Sequence, residues 1–119
     1  MDRPKNIQGL IDGLTEKNRQ LALKNDEIKE LAEKKAATDR DYSIAYAKEV
    51  MNLKLEKEPA TIIPTLAKGD ILVADLRYKA DIADAVYRAS IEKMKDIRIN
   101  IDSYRSILAF EKAEMFNQE

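Results

Sequence analysis

Residues 71–110 read ILVADLRYKADIADAVYRASIEKMKDIRINIDSYRSILAF, and their spacing decides the fold. No Gly or Pro interrupts them, and none follows as far as Phe116. Leu76, Ala80, Ala83, Tyr87, Ser90, Met94, Ile97, Ile101, Tyr104 and Leu108 advance alternately by four and three residues without a slip. This is the a/d repeat of a helix packed lengthwise on another helix, sustained for about four and a half heptads. Small residues at one end of the seam (Ala80, Ala83, Ser90) admit a close approach of backbones, and Met94, Ile97 and Ile101 fill the other end. A second apolar set, Ile82, Val86, Ala89, Ile99, Ile107 and Phe110, lies off the seam.

Working outward, residues 58–70 form the turn. Pro59 ends what precedes it, Pro64 forbids a long regular helix, Lys68-Gly69 reads as a helix stop with Gly at C′, and Asp70 reads as the N-cap of the next helix. Ile62, Ile63 and Leu66 make the turn apolar, which predicts a small lid folded back on the helices. Upstream, Thr15–Lys57 again lacks Gly and Pro and predicts a long first helix, with Thr15 as N-cap and Glu16 in the first turn. Its early part is thinly apolar (Leu21, Leu23, Ile28, Leu31, Ala32). Tyr42–Leu55 is richer. Tyr42, Tyr46, Val50 and Leu53 form one stripe, and Ile44, Ala47, Met51 and Leu55 form another on the opposite side at about 100° per residue. Before Thr15, Ile7, Leu10, Ile11 and Leu14 keep helical spacing, but Gly9 and Gly13 each cost about 1 kcal/mol in a helix. Residues 1–14 are therefore expected to be a weakly ordered segment ahead of a single hairpin domain over 15–116.

Two long helices joined by one compact turn predict an all-α fold, a coiled-coil-like antiparallel hairpin. A pair of helices hides one seam, whereas this sequence carries further stripes. The expectation is a homodimer forming a four-helix bundle. Tyr42, Ile44, Tyr46, Ala47, Val50, Met51, Leu55, Ile82 and Val86 are the candidate oligomer interface. Fold-back of the N-terminal segment and Ile62–Leu66 over these stripes within one chain is the competing arrangement.

Composition removes much chemistry. Among 119 residues there is no Cys and no His, so disulfides, thiol nucleophiles, zinc fingers and a histidine base are excluded. Ferritin-like di-iron sites need histidine as well as glutamate. The carboxylates Asp81 and Asp84, or Asp26, Glu27, Glu30 and Glu33, are interleaved with Lys and Arg and read as solvated helix-surface pairs. No Gly-rich phosphate cradle occurs, and Ser90 and Ser103 have no base in a recognisable pattern. No enzyme and no cofactor is expected. No apolar run approaches the ~18 residues of a membrane span, and residues 1–14 lack a signal-peptide core, so a cytoplasmic protein without a membrane partner is expected. With 21 basic and 22 acidic side chains the formal charge is −1, which offers no global attraction to nucleic acid. Arg88, Lys95, Arg98 and Arg105 form a basic ridge interrupted by acids, and the tyrosines could stack bases; these are the nucleic-acid candidates.

Pro59-Ala60-Thr61, Leu66-Ala67-Lys68-Gly69, Leu76-Arg77-Tyr78, Ala83-Asp84-Ala85-Val86-Tyr87 and Tyr104-Arg105-Ser106-Ile107-Leu108 carry a resemblance. Over about residues 42–112 the chain resembles small helical proteins encoded in phages and prophages of Gram-positive bacteria. Such proteins have no assigned activity, so the resemblance implies an accessory protein with a phage or host protein as partner and transfers no catalytic residue. Pro64 departs from that pattern, in which a short helix occupies the turn. The expected function is a non-enzymatic protein–protein interaction and oligomerisation module. The alternative is a nucleic-acid-binding accessory factor in phage DNA replication or recombination.

Overall fold

The computed structural model describes the backbone of residues 3–117 and the side chains of residues 7–117. It is all-α, with α1 over Arg3–Leu55, a short α2 over Ile63–Gly69 and α3 over Ile71–Asn117. The chain divides into two compact units, one from the residues through Ile28 and those from Ser90 onward, the other Lys29–Ala89. Each is a stretch of α1 packed antiparallel on a stretch of α3.

In the Lys29–Ala89 unit, Val73, Ala80 and Ala83 are buried and Leu76 and Tyr87 half-buried, all on one row of α3. Val73, only 2% exposed, extends the expected seam by one position toward the turn. Facing them on α1 are the half-buried Leu31, Lys35, Thr38, Tyr42, Ala45 and Glu49. The turn is built from local hydrogen bonds. The Glu58 N–H donates to the Leu53 carbonyl (3.1 Å) and the Lys57 N–H to that of Lys54 (3.0 Å), a Schellman closure of α1. Its left-handed residue is Lys57, at φ 62°, and not a glycine. Gly69, expected as the left-handed stop, is the last residue of α2 and has no positive φ. Pro64 sits in the first turn of α2, where no N–H is needed. Asp70 is extended and takes both junctions. Its N–H donates to the Ala67 carbonyl (3.3 Å), and its carboxylate accepts the Val73 N–H (3.1 Å) as the expected N-cap of α3. The lid forms as anticipated in outline: Ile63 and Ala67 are buried against Leu53, with Tyr46 and Val50 packed around them. Ile62 and Leu66 face solvent.

In the other unit, Ser90, Ile97 and Ile101 are buried and Met94, Tyr104 and Leu108 half-buried on the same row of α3. On α1 of this unit Ile7, Leu10, Leu14, Lys17, Leu21, Lys24 and Ile28 are half-buried, and Leu21 lines one groove with Ile101. The expected helix start at Thr15 is corrected: α1 is continuous from Arg3, and the Thr15 hydroxyl donates to the Ile11 carbonyl at 2.9 Å in mid-helix. Residues 1 and 2 lie outside the described residues. The reason is Gly13. A Cβ placed there would lie 2.6–2.9 Å from the ring and hydroxyl of Tyr104. Glycine lets that aromatic ring lie against α1, and its partial burial there offsets the weak helix propensity.

The two helical glycines should therefore respond oppositely to alanine. Gly9 faces open space, so Gly9→Ala is expected to stabilise by about 1 kcal/mol, whereas Gly13→Ala loses this gain to the displaced Tyr104 ring and lowers stability. Urea unfolding of both variants checks the pair. The Ser90 hydroxyl is buried with no hydrogen-bond partner. Ser90→Ala is expected to raise stability by about 1 kcal/mol in the same measurement.

Candidate interaction surface

The expected interface residues separate into two groups. Tyr42, Tyr46 and Val50 turn inward: all three are half-buried, and the Tyr42 and Tyr46 rings stand 6.0 Å apart at 36°. α2 folds onto this side of α1, where Tyr46 and Val50 pack against the cluster of Leu53, Ile63 and Ala67. The stripe on the other side stays bare. Ile44, Ala47, Met51 and Leu55 of α1 are exposed, as are Ile82 and Val86 of α3.

Two adjoining grooves run between α1 and α3 on this bare face. One, of about 430 Å³, includes Ile44, Ala45 and Lys48 on one wall and Leu72, Val73 and Leu76 on the other. The next, of about 380 Å³, lies between Leu31, Lys34 and Thr38 and the α3 residues Lys79, Ile82, Ala83 and Val86. Leu72, 62% exposed, belongs to this surface and was missed by the spacing argument. Its signal was available: Leu72, Lys79 and Val86 form a heptad row immediately beside the seam.

The opposite face is electrostatically occupied. Lys35 donates to Asp39 at 3.1 Å and lies 3.7 Å from Asp84 across the helix pair, and Arg88 closes the chain of charges at 2.9 Å from Asp84. Hydrogen bonding to Asp39, with attraction from Asp39 and Asp84, raises the Lys35 ammonium above its ordinary value. The bare face carries Lys34, Asp41 and Lys48 on α1 and Asp75 and Lys79 on α3. Asp75 and Lys79 pair with one another at 3.2 Å, and Asp41 lies 3.7 Å from Arg40.

Two of the four cations of the basic ridge are paired with carboxylates. Arg88 is held by Asp84 and Lys95 by Glu92 at 3.1 Å. Arg98 and Arg105 flank a small groove of about 260 Å³ that also contains Asp102, Asn18 and Leu21. Tyr87 and Tyr104 are half-buried in the seam and Tyr78 is exposed. Among the described residues no group of three or more His, Cys, Asp or Glu side chains is placed to hold a metal ion. None of the described helices is long and apolar enough to cross a membrane. Comparison with protein-family models, with curated proteins and with solved structures gives no match.

One surface charge is strongly perturbed. Arg19 grips both oxygens of Glu16 (2.9 and 2.6 Å) and Gln20 adds a third hydrogen bond, which together lower the Glu16 pKa from 4.5 to about 2. The cause is this fork and not the helix dipole, because Glu16 lies well inside α1. A depressed carboxyl stabilises the folded state above its unfolded pKa and loses that contribution as pH falls through its folded one. The Glu16 carboxyl resonance is expected to titrate with a midpoint near 2, and Arg19→Ala to return it toward 4.5; NMR titration reads both.

Proposed function

We propose that this chain is a non-enzymatic helical interaction module that works by associating with a second copy of itself. The observation that carries this reading is the bare apolar face of the Lys29–Ala89 unit. Ile44, Met51, Leu55, Leu72, Ile82 and Val86 remain between 46% and 75% exposed. The lid that could have covered such residues has gone to the other side. Leaving six large apolar side chains about half wet forgoes about 1 kcal/mol each. The sum is comparable to the stability of a small domain. Contiguous exposed apolar surface of this kind is characteristic of association sites.

The resemblance to small phage-encoded helical proteins supports a role as a cytoplasmic accessory factor, with other phage or host proteins as further partners of the module. The nucleic-acid reading draws less support, since two of the four ridge cations are spent on neighbouring carboxylates. Sedimentation equilibrium of the full chain tests the proposal. Dimer mass is expected at micromolar concentration, and a monomer persisting at about 100 μM, weaker than about −5.5 kcal/mol of association, would overturn it.

A further inference from the structure

We draw no further inference here: the strongest candidate, the bare apolar face between α1 and α3 in the Lys29–Ala89 unit, with Ile44, Met51, Leu72, Ile82 and Val86 exposed on it, carries nothing beyond the association proposed above, because nothing in the structure shows what covers it.

Discussion

A single row of α3 side chains supplies most of the burial outside the turn. Val73, Ala80, Ala83, Ser90, Ile97 and Ile101 are buried, and all lie on that row. Two helices share one line of contact, so no side chain is more than one layer from water and the row must do the work of a core. Where it is small, at Ala80 and Ala83, the backbones can approach closely. Where it is large, at Tyr104, the facing helix yields with Gly13. The thinness of such a core also explains why lysines are tolerated on the inward side of α1. Lys17, Lys24 and Lys35 lay aliphatic stems along the contact while their ammonium groups reach Gln20, Glu27 and Asp39 at its edge.

The same thinness makes the turn consequential. α2 has seven residues, and two of them, Ile63 and Ala67, insert against Leu53. This adds a local third layer on one side only. A hairpin with two equivalent faces becomes one with a capped face and a bare face. The ion-pair chain Asp39–Lys35–Asp84–Arg88 lies on the capped side and reinforces the difference.

Much of the fold is legible in the sequence, and for local reasons. The unbroken four–three spacing from Leu76 to Leu108 marks a helix packed along its length, and each of those residues is buried or half-buried. Asp70 caps α3 because an aspartate ahead of a helical run accepts a backbone N–H whatever surrounds it. Readings that failed were those in which a local preference met a distant contact. Gly9 and Gly13 argued for fraying, yet packing on α3 carries α1 through both. Gly69 read as a left-handed stop, yet it ends α2 without a positive φ. The inward lysines could not be recognised, because a charged residue at a seam position looks like a break until its stem is seen to lie along the facing helix.

The candidate surface shows the same division. Sequence alone determined that α1 carries two apolar stripes near the turn and that α3 carries apolar residues beside its seam, since helical periodicity sets these directly. It could not say which α1 stripe would remain exposed. That choice was made by the side onto which α2 folded, a contact between residues 46–53 and 63–67 that no single helix encodes. Tertiary structure alone therefore assigned Tyr46 and Val50 to the core and left Ile44, Met51 and Leu55 to solvent. The physical reason is that periodicity is a property of one helix, whereas burial is a property of whatever comes to lie against it.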